Sequence, residues 1–63
     1  MKFLCLTEDN NNRTILLNPS NVKYFQEAFN NRGECTEIKF AGDYDLLPIR
    51  VSEDIRKIEK LLN

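Results

Sequence analysis

The chain has 63 residues, nine basic and ten acidic, so its formal net charge is −1. This length predicts a single domain, residues 1–63, that buries only about 60% of the surface its unfolded form exposes. Little interior is then left for a ligand pocket. The near-neutral balance is unlike the strongly basic surface of most nucleic-acid binders, and no segment approaches the length of a membrane span.

The chain begins with two predicted strands separated by a polar turn. Residues 2–7, KFLCLT, are β-prone and too short for a helix, and residues 13–18 contain the apolar run ILL. Between them, three consecutive asparagines tolerate left-handed backbone and bond to their own main chain, which is typical of a turn. We expect these two strands to pair as an antiparallel hairpin.

The stretch NPSNVKYFQEAF, residues 18–29, has two interpretations. Val22, Phe25 and Phe29 recur at helical spacing, which favours a helix. However, the turn signal FNNRGE and the alternating segment CTEIKF at 35–40 supply a pairing partner for a strand. We therefore predict one short turn at 19–21, opened by its proline, and a strand over 22–28.

A further strand is predicted over residues 46–51, LLPIRV, after the turn signal AGDYD. Its alternation places Leu47, Ile49 and Val51 on one face. Pro48 lacks a main-chain donor, so the strand should lie at a sheet edge or direct this residue outward.

The C-terminal segment is predicted to be a helix over residues 53–62. Ser52 is a suitable N-cap, and Glu53 and Asp54 would lie in the first turn, where the helix dipole favours negative charge. One face is lined by apolar residues: Ile55, Ile58, Leu61 and Leu62. The predicted fold class is α+β, with a small, mostly antiparallel sheet of about five short strands and this one helix.

The order of these segments resembles that of the FlbD-like small flagellar proteins. The matching stretches are MKFLCLT, ILLN, NPSNVKYFQE, TEIKF and IRVSEDIRKIEKLL. This resemblance implies a hairpin, a turn-led strand, a further hairpin and a terminal helix, together with a flagellar role. The stretch ILLNPSNVKYFQE followed by TEIKF also resembles part of the LytTR DNA-binding domain, which implies DNA binding.

The two cysteines, Cys5 and Cys35, are separated in the chain and form no disulfide framework. The apolar run in the start MKFLCLTEDN is too short to be the hydrophobic region of a signal peptide, so we expect a cytoplasmic protein. Both cysteines are then expected to be reduced and partly buried, each within a strand.

The residues that most catalytic and metal sites need are scarce. There is no histidine, no CxxC pair and no phosphate-binding glycine loop, since Gly33 and Gly42 each belong to a turn. Asp43 and Asp45 lie two residues apart and could bind a hard cation, but such a pair in a turn is far more often ordinary turn chemistry. We expect no enzymatic activity, no cofactor, no metal site and no small-molecule ligand.

Binding to another macromolecule is the remaining hypothesis. Aromatic residues and arginine are enriched at interface anchors. The candidate contacts are Tyr24, Phe29, Arg32, Tyr44 and Arg50. A protein partner, which includes another copy of the chain, is the first hypothesis. A simpler interpretation is that Tyr24 and Phe29 only complete the core.

Two other functions are alternatives to a protein-interaction or adaptor module. The LytTR-like strands and a set of basic residues suggest a small nucleic-acid-binding regulator. That set consists of Arg13, Arg32, Lys39 and Arg50. The third hypothesis is an inhibitor encoded by a phage or mobile element.

Overall fold

A computed structural model describes residues 2–42 and 47–63. The described part contains five strands, one 3₁₀ turn and one helix, which is the predicted α+β class. In chain order they are β1 (Leu4–Thr7), β2 (Thr14–Leu17), the 3₁₀ turn (Pro19–Asn21), β3 (Val22–Asn30), β4 (Gly33–Phe40), β5 (Ile49–Val51) and α1 (Ile55–Leu62).

The first predicted hairpin is confirmed. Strands β1 and β2 pair antiparallel, from Leu4 opposite Leu17 to Thr7 opposite Thr14. In the connection, Asn12 has a φ of 59°, which asparagine tolerates better than most residues. Its main-chain N–H donates to the carbonyl oxygen of Glu8 at 3.0 Å, so the polar run does form a turn.

The stretch with two interpretations is a turn followed by a strand, as predicted. Asn18 caps the 3₁₀ turn because its side-chain oxygen accepts from Ser20 N at 3.0 Å. Strand β3 then runs to Asn30, two residues beyond its predicted end, and β4 begins at Gly33, two residues before its predicted start. The hairpin is longer because only two residues connect the strands. Gly33 has a φ of 123°, a conformation that suits glycine.

The five strands form two sheets, whereas the sequence suggested one. Strands β1 and β2 make one sheet, and the other has the order β3–β4–β5. A short antiparallel contact joins them: Ser52 N donates to Thr7 O at 2.8 Å, and Asp9 N donates to Arg50 O at 2.9 Å. The chain immediately after β1 therefore pairs with β5, with Glu8 opposite Val51.

The predicted strand 46–51 is shorter in the structure. It begins at Ile49, directly after Pro48, which has no N–H with which to extend the pairing. Leu47 lies outside the strand and is exposed, so its predicted place beside Ile49 and Val51 is wrong. Strand β5 does lie at the end of its sheet, as expected for a strand next to proline.

The helix begins at Ile55, and its N-cap is Asp54, which corrects the predicted cap at Ser52. The Asp54 carboxylate accepts from Lys57 N at 2.8 Å. Glu53 lies before the helix because it is held elsewhere. Its side chain accepts from Thr7 N at 2.9 Å, and its carbonyl oxygen accepts from the buried Thr36 hydroxyl at 2.8 Å.

The core lies between the two sheets and α1. Its fully buried apolar members are Leu4, Leu6, Leu17, Ile38, Val51 and Ile58. Half-buried residues pack around them, namely Ile15, Val22, Phe25, Phe40, Ile49 and Leu61. Of the predicted apolar helix face, Ile58 is buried, but Leu62 is exposed at the C-terminal end. Over residues 2–42 and 47–63, no helix has the length and apolar character needed to cross a bilayer.

Candidate interaction surface

Strand β3 is the longest strand and lies at the end of its sheet. It has nine residues and pairs on one side with β4. No strand in the described part of the chain pairs with its other side. The backbone along this side, which we call the β3 edge (residues 22–30), is therefore open to another chain.

The two aromatic candidates on β3 lie on opposite faces of the sheet. Tyr24 is opposite Lys39 on the face away from the helix, whereas Phe25 is opposite Ile38 on the core face. Phe29 shares the face of Phe25, four residues along the strand. Tyr24 is 42% exposed and Phe29 is 62% exposed. The interpretation that these two complete the core is wrong, since Phe25 does so instead.

Phe29 is exposed because its hairpin extends beyond the core. Strand β5 pairs only with the segment from Thr36 to Ile38, so the rest of the hairpin toward its turn has no third strand. Glu34, which lies opposite Phe29, is exposed as well. The hairpin end thus presents an aromatic side chain on a surface that the fold itself does not cover.

Arg50 connects the far strand of the sheet with β3. Its Nη1 donates to the carbonyl oxygen of Phe29 at 3.2 Å, and its Nε lies 3.7 Å from Glu37 Oε1. The side chain is half exposed, so the ion pair contributes only about 0–1 kcal/mol. Arg50 is therefore close to Phe29, although it binds the backbone of β3 on the opposite face from the ring.

Arg32 lies in the two-residue turn of the hairpin and is exposed. Its main-chain N–H donates to Asn30 Oδ1 at 2.8 Å. The Asn30 side-chain amide in turn donates to Asp9 Oδ1 at 2.7 Å, which ties the hairpin end to the loop after β1. Three candidates, Phe29, Arg32 and Arg50, therefore meet at this end, while Tyr44 lies outside the described residues.

The two cysteines differ in a way that the sequence did not predict. Cys35 is fully buried on the face of β4 that Arg50 crosses, and Cys5 is exposed, so neither is partly buried. Burial raises the pKa of the Cys35 thiol, and the Asp9 carboxylate raises it further. Arg50 acts in the opposite direction. A thiol with a raised pKa is a poor nucleophile. The two cysteines form no disulfide.

A second apolar surface was missed by the sequence analysis. Phe3 is 51% exposed and Leu16 is 68% exposed, and Cys5, the register partner of Leu16, is exposed between them. The signal was present in the runs FLCL and ILL, which are apolar on both faces of their strands. Such runs are typical of strands covered on both sides, but here only one side is covered.

The described residues give little support for a small-ligand site. An open depression of about 320 Å³ lies beside the start of the helix, lined by Glu34, Ser52, Glu53, Asp54 and Lys57. Two of its acidic residues are engaged elsewhere, since Glu53 accepts from Thr7 N and Asp54 caps the helix. Across the two described ranges, no group of three or more metal-ligating side chains could hold an ion.

A scan against protein-family models, a search of the curated proteins and a search of the solved structures each return no match. The resemblances to the FlbD-like proteins and to the LytTR domain stay hypotheses.

Proposed function

We propose that this chain is a non-enzymatic protein-interaction module that contacts its partner through the β3 edge and the exposed Phe29 beside it. The observation that carries the proposal is the combination of a nine-residue end strand with a 62% exposed aromatic side chain. Edge strands bind extended chains through main-chain hydrogen bonds, and neighbouring side chains provide specificity.

The backbone geometry supports this proposal. Asn30 and Gly33 flank the turn of the hairpin and are opposite each other. In an antiparallel pair, residues that bond to the partner strand alternate with residues that do not. Counting back from Asn30, every second residue bonds to β4. The alternate residues, Phe29, Glu27 and Phe25, direct their N–H groups toward the open edge. The carbonyl groups of Phe25 and Glu27 face the same way, whereas the Phe29 carbonyl already accepts from Arg50.

Single exposed apolar residues are common on protein surfaces and do not by themselves indicate binding. The β3 edge differs because an aromatic anchor and open backbone groups lie on the same strand. Arg50 also holds the Phe29 carbonyl, which limits the motion of the anchor's backbone. An anchor that is ordered before binding loses less conformational entropy when its partner arrives.

The test is capture of partners from an extract of the native host, with the chain immobilised and retained proteins identified by mass spectrometry. The native chain is compared with a Phe29→Ser variant and with a Leu16→Ser control, which removes a similarly exposed apolar side chain from β2. We expect specific proteins to be lost with Phe29→Ser and kept with Leu16→Ser. Equal retention by all three chains, or no retention by any, would contradict the proposal.

A further inference from the structure

We infer that one partner of the β3 edge is a second copy of this chain, bound antiparallel through its own β3 edge. This inference rests on the proposed function, because it uses the same edge. Two sheets of three strands each would then join into one continuous sheet of six strands. Both helices would lie on the same side of it, since a two-fold axis through the strand pair is perpendicular to the sheet.

The charges on β3 are the reason for inferring that the partner at this edge is a second copy of the chain. The strand VKYFQEAFN carries one basic residue, Lys23, and one acidic residue, Glu27, and both are exposed. An antiparallel copy reverses the order of these charges, so each strand can place its positive charge beside the partner's negative one. A strand with this arrangement is complementary to itself, which is the requirement of a two-fold interface.

The register also follows from these residues. A two-fold axis at Gln26 pairs all nine residues of β3 with their counterparts. Lys23 then lies opposite the partner's Phe29 and diagonal to the partner's Glu27, both within reach of a lysine side chain. An axis at Phe25 would place Lys23 directly opposite the partner's Glu27 but would pair only residues 22–28, and an axis at Glu27 would place two carboxylates directly opposite each other, which destabilises a strand pair. We centre the inferred interface on Gln26 because this register pairs the longest stretch of β3 while it keeps Lys23 within reach of the partner's Glu27.

The contact between the copies is small. One pair of nine-residue strands falls below the roughly 1,200 Å² that is the lower limit for standard stable interfaces. Association should therefore be reversible and concentration dependent. The bulge at Lys23, where β3 has one residue more than β4, limits regular pairing at both ends of the interface, because the two-fold axis places Lys23 of each copy opposite Phe29 of the other.

The test is sedimentation velocity of the full chain from micromolar to millimolar concentration at low ionic strength. We expect a monomer–dimer equilibrium for the native chain. Glu27→Lys should weaken the dimer at least tenfold, because it places the new lysine beside the partner's Lys23. The double variant Lys23→Glu/Glu27→Lys restores the opposite pairing and should recover most of the affinity.

Glu59→Lys is the matched control, since it makes the same charge change at an exposed position of the helix rather than of β3. It should leave the dimer unchanged. Equal weakening by Glu59→Lys and Glu27→Lys would indicate an effect of net charge and would overturn the inference. A strict monomer at every concentration, or a double variant no stronger than Glu27→Lys, would also overturn it.

Amide hydrogen exchange of the native chain gives a second measurement that needs no variant. Raising the concentration should slow exchange at Phe25, Glu27 and Phe29, whose N–H groups face the edge. Exchange at Gln26 and Ala28 should change less, because these residues bond to β4. Unchanged exchange at all five would overturn the inference. Host proteins captured through Phe29 by a chain that stays monomeric would overturn it while leaving the proposed function intact.

Discussion

Arg50 on β5 donates a hydrogen bond from Nη1 to the carbonyl oxygen of Phe29 on β3, at 3.2 Å, and so spans the strand between them. That middle strand carries Cys35 on the crossed face, fully buried. Arg50 thus holds the end of the β3–β4 hairpin through the Phe29 carbonyl and lies across the face of β4 that contains the Cys35 thiol.

Replacing Arg50 with alanine should loosen this end of the sheet. The variant loses the bond to Phe29 and the ion pair with Glu37, and we expect a decrease of about 0.5–1 kcal/mol in the free energy of unfolding because both contacts are half exposed. Urea denaturation measures the decrease. Arg32→Ala, which removes an exposed arginine from the turn, is the control and should change stability by less.

The two thiols should react at very different rates. Cys5 is exposed and should react with a thiol reagent such as Ellman's reagent in a fast phase, whereas Cys35 should react only as the protein opens. We expect one equivalent to react rapidly and the second slowly, with the slow phase accelerated by denaturant. The Cys5→Ser variant should lose only the fast phase. Two equally fast equivalents would contradict the burial of Cys35.

The raised pKa of Cys35 predicts a loss of stability in alkaline solution. Burial holds the pKa of the Cys35 thiol in the folded protein above that of the same thiol in the unfolded chain. Below the unfolded pKa both states are protonated, and the stability contribution is fully present. As the pH rises through the folded pKa, the unfolded state is favoured by ionisation, and this contribution is lost.

Urea denaturation of the native chain and of Cys35→Ala, from neutral pH to alkaline pH, isolates this effect. The native chain should lose more stability over that interval than the variant, because the variant lacks the buried thiol of Cys35. The same loss in both chains would indicate that other groups cause it.

The buried hydroxyl of Thr36 should contribute substantially to the free energy of unfolding. It donates to the carbonyl oxygen of Glu53 at 2.8 Å and so fastens the residue before the helix to β4. Thr36→Val keeps the shape but leaves this carbonyl without its donor, and we expect a cost of about 1–3 kcal/mol. Thr36→Ser retains the hydroxyl and serves as the control in thermal unfolding. A valine variant as stable as the native chain would show that the bond is dispensable.

The helix cap can be located by mutation. Asp54→Ala removes the acceptor for Lys57 N and should lower the free energy of unfolding by about 1 kcal/mol. Ser52→Ala should change it little, since Ser52 is exposed and lies two residues before the cap. Chemical denaturation of both variants distinguishes the observed cap from the one that the sequence suggested.

The sequence predicted the elements better than the site. The hairpins, the strand at residues 22–28 and the terminal helix were predictable because turn residues and apolar alternation act locally. Phe29 and Arg50 were named as separate candidates, but their contact was not predictable, since the bond depends on the strand order. The exposed group of Phe3, Cys5 and Leu16 left a signal in the sequence, because the runs FLCL and ILL are apolar on both faces of their strands, but which face stays uncovered depends on the fold.

Local features follow from the sequence alone: where the backbone turns, which segments are extended and which helix face is apolar. The fold sets the rest: the strands divide into two sheets, β3 lies at an end, Cys35 is buried while Cys5 is exposed, and Glu53 binds Thr7 rather than starting the helix. Turns and periodicity are set by residues a few positions apart, whereas burial and edge position depend on which distant strands meet.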